Sequence, residues 1–145
     1  MVASRTESLI SAPSRAQRLA REGDVFYQTV RPYQKNNYLF DKKCKNYVFS
    51  TGYAQLRPSG DGYYLLSQLQ NEWFVRVVLN NCTGTSYPAI SSNNLANIEV
   101  HSPKPKEQTK IGELFKHTDT LINQHQAQID KLNNIKQACL ANMFV

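Results

Sequence analysis

Hydrophobic and polar residues change their spacing about two-thirds of the way along the chain. Before that point, short β-branched and aromatic runs predict strands at 25–30, 37–40, 47–50, 53–56 and 97–100. Leu66, Leu69, Trp73 and Val77 instead repeat at three-and-four spacing. That spacing predicts one amphipathic helix over 63–79, with Trp73 and Phe74 in the core and a stop at Asn80-Asn81.

A proline-rich segment separates this mixed part from a long helical pattern. The two prolines in His101-Ser-Pro-Lys-Pro-Lys106 favour extended backbone and predict a boundary between domains 1–102 and 103–145. From Glu107 to about Asn142 there is no proline, and apolar positions follow strict 3-4 spacing. This predicts a helix of roughly 35 residues, about 50 Å long, which a domain of this size cannot cover.

The predicted helix carries a continuous apolar stripe, so we expect it to pack against another helix. Heptad spacing of this kind is typical of coiled coils, and the polar seam residues Thr118, His125, Gln128 and Asn142 would fix register or partner. The predicted fold class is α+β: a small mixed sheet with a packed helix, followed by a long C-terminal coiled-coil-type helix. The subunit-interface residues on the stripe are Ile111, Leu114, Leu121, Ile122, Ile129, Leu132 and Ile135.

Length, charge and cysteine content narrow the function classes. The 145 residues suffice for one domain and an appendage, and the net charge of +6 permits nucleic acid as a partner. The stretch 15–45 has eight basic and three acidic residues, which leaves +5 of that charge. Three widely spaced cysteines argue against a disulfide framework and for a reducing, intracellular compartment, and no apolar run is long enough to span a membrane.

Several short strings occur in an order that is distinctive, although no single one is. They are Ser11-Ala-Pro-Ser-Arg-Ala-Gln-Arg18, Glu22-Gly-Asp-Val25, Thr29-Val-Arg-Pro32, Ser50-Thr-Gly-Tyr-Ala-Gln-Leu-Arg-Pro58, Gly84-Thr-Ser-Tyr-Pro-Ala-Ile90, Pro103-Lys-Pro-Lys-Glu-Gln108 and Lys110-Ile-Gly112 before the long helix. In this order, across about residues 11–145, they resemble the specificity (S) subunit of prokaryotic type I restriction-modification systems. The chain looks like the rear part of one target recognition domain plus one conserved helix of that family.

The resemblance implies a non-catalytic protein that recognises double-stranded DNA. It implies a methyltransferase (M) subunit that methylates adenine with S-adenosylmethionine, and a restriction (R) subunit that completes the complex. The chain itself would need no cofactor or metal. Because family members carry two antiparallel long helices and this chain has one, we expect a homodimer through the long helix.

Two loops supply the predicted DNA contacts. Arg31 could read guanine, Gln34 and Asn36 have the amide geometry that reads adenine, and the Gly84 loop offers donors for phosphates or bases. With the basic residues around them, the predicted DNA-binding residues are Arg15, Arg18, Arg31, Tyr33, Gln34, Lys35, Asn36, Lys42, Lys43, Lys45, Tyr53, Gly84, Thr85, Ser86 and Tyr87.

Two alternatives stay open. The chain could be a truncated S fragment that forms a coiled coil with M, or with intact S, and regulates the complex without reading DNA. It could also be a small enzyme that uses Cys44 or a histidine, which sensitivity to thiol blockers or chelators would reveal. The spacing of His101, His117 and His125 argues against a metal site.

Overall fold

The computed structural model describes residues 18–43 and 46–144. Its centre is a three-stranded antiparallel sheet of order β2-β1-β3, formed by β1 (Val25–Gln28), β2 (Tyr38–Leu39) and β3 (Tyr53–Leu56). Val25 pairs with Leu39 on one side and Leu56 on the other. The α+β class predicted from the sequence is confirmed, with every described strand pair antiparallel.

Two helices follow β3 where the sequence predicted one. Helix α1 spans Gly62–Leu69 and helix α2 spans Glu72–Asn80. The prediction of a single helix over 63–79 was wrong. The Asn71 side chain accepts a hydrogen bond from Trp73 N–H and starts a new helix there. Phe74 is buried as predicted, but Trp73 is 54% exposed on the outer side of α2.

Two of the predicted strands are also replaced. Segment 47–50 contributes only an isolated bridge between Val48 and Leu19. Helix α3 (Ser92–Ala96), capped by the Ser91 hydroxyl, takes up the space before 97–100, which has no regular structure. The apolar runs predicted strands in both segments. A local run does not show whether a neighbouring strand offers free backbone groups for pairing, so the prediction failed there.

The buried core divides between the two faces of the sheet. Val25, Tyr27 and Ala54 pack with Phe74 and Val78 of α2. Phe26 and Phe40 form a second, aromatic cluster, where the Phe26 and Phe49 rings stack 3.5 Å apart. This alternation along β1 is what a strand covered on both faces produces.

A buried carboxylate joins the start of β1 to the end of β3. Asp24 accepts hydrogen bonds from Arg57 Nε at 2.7 Å, Arg57 Nη2 at 2.8 Å, Gln55 Nε2 at 2.7 Å and the Arg21 N–H at 2.8 Å. Burial raises the pKa of Asp24, but the bonds from Arg57, Arg21 and Gln55 outweigh it and leave that pKa below its ordinary value.

We expect Asp24→Asn to lower the free energy of unfolding by roughly 2–4 kcal/mol, because the amide NH₂ would face the donors of Gln55 or Arg57. Since the native pKa lies below the ordinary 3.8, the wild-type contribution is complete above that pH and is lost as pH falls through the native pKa. Urea denaturation at pH 7 and pH 3 measures both effects. Asp41→Asn, at an exposed acid, is the matched control; equal destabilisation by both changes would contradict the assignment.

Helix α4 (Pro105–Met143) has 39 residues and extends for about 58 Å. Its first third packs against α1, where Tyr63 donates a hydrogen bond to Asp119 at 2.5 Å. Burial and this hydrogen bond raise the pKa of Tyr63 to about 12. Residues 120–143 continue for about 36 Å, and every residue from 113 to 144 is exposed.

Gly112 allows α4 to approach the capped start of α1. The Asp61 carboxylate accepts from Tyr64 N–H at 2.7 Å, and a Cβ at position 112 would lie 2.1 Å from the same Asp61 oxygen. Gly112→Ala should therefore destabilise the protein by about 1–3 kcal/mol, although the change favours an isolated helix by about 1 kcal/mol.

Thermal unfolding of Gly112→Ala beside Gly60→Ala tests this close approach. A Cβ at position 60 would meet only the flexible side chain of Gln108, which can swing aside, so that control should change stability little. A stabilised Gly112→Ala protein would mean that α4 does not rest on α1 as described.

Candidate nucleic-acid interface

The chain beyond β1 pairs with a segment that is distant in sequence. Arg31 N–H donates to the Pro88 carbonyl at 2.8 Å, Ile90 N–H donates to the Thr29 carbonyl at 3.0 Å, and Val30 forms a bridge with Ala89. This pairing brings together the two loops whose sequences predicted DNA contacts.

The second loop, between Thr83 and Ala89, is a tight turn whose two ends pair with each other. Thr83 and Ala89 exchange backbone hydrogen bonds of 2.9 and 3.0 Å. Gly84 has a φ of +84°, and a Cβ there would lie 3.0 Å from the Tyr87 carbonyl oxygen. The turn therefore requires glycine, and it leaves Thr85, Ser86 and Tyr87 exposed.

The Arg31 guanidinium lies over the Tyr87 ring where the two loops meet. The Arg31 guanidinium carbon lies 4.3 Å from the centre of the Tyr87 ring, and the ring is 64% exposed. Arg31 Nε is buried, and no acceptor in the described part of the chain reaches it. A cation–π contact of this kind helps hold a guanidinium in place while its terminal N–H groups stay available to a ligand.

The first loop is held in an unusual backbone conformation. One turn of 3-10 helix, Pro32–Gln34, lies between Arg31 and Lys35, whose φ angles are 54° and 53°. Non-glycine residues in this left-handed region typically cost about 1–3 kcal/mol each and cluster at functional sites. The surrounding contacts must therefore hold the loop in place.

Gln28, at the end of β1, provides much of that support. Its backbone N–H donates to Asn37 Oδ1 at 2.9 Å, its side-chain Nε2 donates to Gln34 Oε1 at 3.0 Å, and its Oε1 accepts from Asn36 N–H at 3.3 Å. Sequence reasoning missed Gln28 and Asn37. The one available signal was a glutamine inside an otherwise apolar strand.

The predicted lysine contacts differ in their surroundings. Lys35 forms an ion pair with Glu72 of α2, and the hydrogen bond and charge of Lys35 lower the pKa of Glu72. Lys42 lies 5.1 Å above the Tyr47 ring, and Lys43 is exposed. The structure therefore ties Lys35 to the scaffold and leaves Lys43 open to solvent.

The basic stretch divides between the two ends of β1. Arg31 and Tyr87 extend its C-terminal end, whereas the antiparallel register carries Lys42 and Lys43 past its N-terminal end. Exposed Arg18 precedes the Leu19 bridge to Val48, and Tyr53 packs on Phe49 in the aromatic cluster. Arg15, Lys45 and Cys44 lie outside the described residues.

The remaining predicted contact residues, except Ile111, are exposed in the structure. Tyr33, Gln34 and Asn36 are exposed on the first loop, and the apolar stripe of α4 is open beyond Ile111, with Leu114 and Leu132 more than 60% exposed. Within 18–43 and 46–144, no three His, Cys, Asp or Glu side chains are grouped as metal ligands. No described helix combines the length and apolarity of a membrane span.

Comparison with known families decides what kind of protein carries this surface. The family model for the type I restriction modification DNA specificity domain matches residues 8–134. The chain belongs to this family. The resemblance proposed from the order of short strings is therefore confirmed, and the structure just described is that of a type I specificity domain.

Curated and solved relatives agree. The HindI specificity subunit of Haemophilus influenzae is 26% identical over 140 residues, 92% of this chain and 30% of that protein. The EcoDI specificity subunit of Escherichia coli is 26% identical over 128 residues, 84% of this chain and 28% of that protein. The chain spans about a third of the length of its relatives, and its fold matches two solved structures.

One of these is the crystal structure of the HsdS subunit from Thermoanaerobacter tengcongensis, with a TM-score of 0.64, 28% identity, and coverage of 91% of this chain and 36% of that one. The other comes from work on complex assembly and conformational transition of a type I R-M system, with a TM-score of 0.71, 24% identity, and coverage of 93% and 37%. The matched regions include the long helix, because each covers more than nine-tenths of this type I specificity domain.

Proposed function

We propose that this chain is a non-catalytic DNA-recognition subunit that directs a partner adenine methyltransferase, and a restriction subunit, to a chosen sequence. The single observation that carries the proposal is the cation–π contact between Arg31 and Tyr87, which two predicted recognition loops bring together. S-adenosylmethionine would be bound by the methyltransferase, and the complex would act in the prokaryotic cytoplasm.

The bare stripe of α4 supports a homodimer with antiparallel helices. Its seam residues are arranged almost symmetrically about a point between residues 126 and 127. A twofold axis there would set Leu121 against Leu132 of the partner subunit and His125 against the partner's Gln128. His125 and Gln128 already lie 3.3 Å apart within one helix. Such a polar layer between apolar ones would fix the register.

Two identical recognition domains would then read two identical half-sites. A twofold axis between the helices would relate the half-sites, so the recognised sequence would be a bipartite palindrome. The length of the paired helices would determine the spacing between the halves.

Selection of duplexes from a random library tests the proposal. The full chain, alone and mixed with its methyltransferase subunit, is expected to enrich one symmetric bipartite motif. Binding should also weaken steeply with salt, because phosphate contacts release counterions. Enrichment of no motif in either mixture would contradict DNA recognition.

A second candidate is a truncated S fragment that docks on the M or S subunit without reading DNA. The short span of the chain relative to its specificity-subunit relatives favours it, as does the helix that extends bare beyond residue 119. Tight binding to M together with no motif enrichment would select this candidate.

A further inference from the structure

The hydrogen bonds around Gln28 determine which end of each side-chain amide in the first loop donates and which end accepts. Backbone N–H groups can only donate, so the Asn36 N–H defines its acceptor on Gln28 as Oε1. The other half of that amide, Nε2, must then face Gln34, whose own Oε1 accepts it. Gln34 Nε2 is left as the outward-facing end of the chain of amides.

A backbone donor orients the Asn37 amide in the same way. The Gln28 backbone N–H donates to Asn37 Oδ1, which leaves Asn37 Nδ2 as the remaining donor. That nitrogen is buried without an acceptor among the residues the structure describes, as is Arg31 Nε. Two donors of this loop therefore have no acceptor within the described residues, and Lys35, which follows the 3-10 turn, adds only donors.

Resting on the proposed function, we infer that this loop reads a pair of acceptors, the O6 and N7 edge of guanine, through Arg31 and Gln34. In the major groove only guanine presents two adjacent acceptors, whereas adenine presents one acceptor and one donor. Guanine thus replaces adenine as the base expected for Gln34. Gln28 is a positioning residue, because it acts on the base only through the Gln34 amide.

Phosphate oxygens offer the same acceptor chemistry, and a base substitution separates the two sources. In a duplex carrying the selected motif, 7-deazaguanine removes one acceptor at a chosen base and leaves every phosphate in place. We expect about 10-fold weaker binding at one guanine of each half-site. Unchanged binding at every guanine would assign the loop to the phosphate backbone and overturn the inference.

Gln28→Glu tests directly which end of the Gln34 amide faces outward. The carboxylate can still accept from Asn36 N–H, but it has no donor for Gln34, so the Gln34 amide should reverse and present Oε1 outward. Repeating the duplex selection should then replace the guanine with a base that offers a donor, adenine or cytosine, by about 10- to 100-fold in relative enrichment. A motif unchanged at every position would overturn the inference.

Matched variants keep this result separate from misfolding and from the proposed function itself. Gln28→Met, which has a similar shape and no polar group, should give a relaxed preference at that one position, and Gln34→Ala should do the same. A melting temperature near that of the wild type marks each variant as folded. If the wild-type chain enriches no motif, DNA recognition fails and the inference with it; if a motif appears without a guanine sensitive to positions 28 and 34, only the inference fails.

Discussion

A variant carrying both Leu121→Asp and Leu132→Asp should be monomeric or insoluble at concentrations where the wild-type chain is a dimer. The two side chains are 41% and 66% exposed in a single chain, so the monomer tolerates the change. In the proposed antiparallel pair they face each other, and four carboxylates would lie in an apolar seam. We expect the dissociation constant to rise by at least about 1,000-fold, or about 4 kcal/mol.

Asn123→Asp with Asn134→Asp is the matched control. These positions carry the same spacing and charge change, and each lies two residues from a seam leucine, on the far side of the helix. Analytical ultracentrifugation across a concentration series should give a monomer for the first variant and a dimer for the control. A well-behaved dimer in both would remove the stripe as the interface.

The second large effect concerns Arg31. Arg31→Ala should weaken binding to the selected motif by about 10- to 100-fold while binding to random duplex changes far less, because the Arg31 donors to one base are lost. Arg31→Lys should be nearly as poor, since lysine has neither the planar fork nor the same stacking on Tyr87. Fluorescence anisotropy with both duplexes measures the ratio.

The contact between Arg31 and Tyr87 adds a stricter requirement. Because the ring holds the guanidinium 4.3 Å away, the effects of Arg31→Ala and Tyr87→Ala should not add in the double variant. Lys42→Ala and Lys43→Ala should each weaken binding to all sequences alike and lower the salt slope by about 1. Their effects on binding should add to the effect of Arg31→Ala. Equal loss on motif and random DNA for every variant would contradict base reading.

Local patterns predicted the parts of this fold that local physics decides. Strands β1 and β3 have apolar, β-branched or aromatic runs, and the 39-residue helix α4 has a regular seam spacing from residue 111 to 142. The break at Asn71 was missed because the apolar spacing runs on through it, and only a side-chain cap marks the new start. Segment 97–100 has a strand-like composition but no partner strand, which composition cannot reveal.

The candidate site was predictable only in its pieces. Arg31 and Tyr87 were each suspected from residue type, yet their contact depends on pairing between Thr29–Arg31 and Pro88–Ile90, which nothing nearby in sequence indicates. Gln28 could not be singled out, since its importance lies in three hydrogen bonds to a loop beyond it. Lys35 was grouped with the other predicted DNA-binding lysines because its partner, Glu72, comes from a different element.

The most direct test of DNA recognition by a homodimer is to co-express this chain with its methyltransferase subunit and map methylated adenines in the host DNA. We expect methylation at one symmetric bipartite motif, lost when Leu121 and Leu132 are both replaced by Asp. A stable complex that methylates nothing, or methylation at an asymmetric site, would contradict recognition by a homodimer.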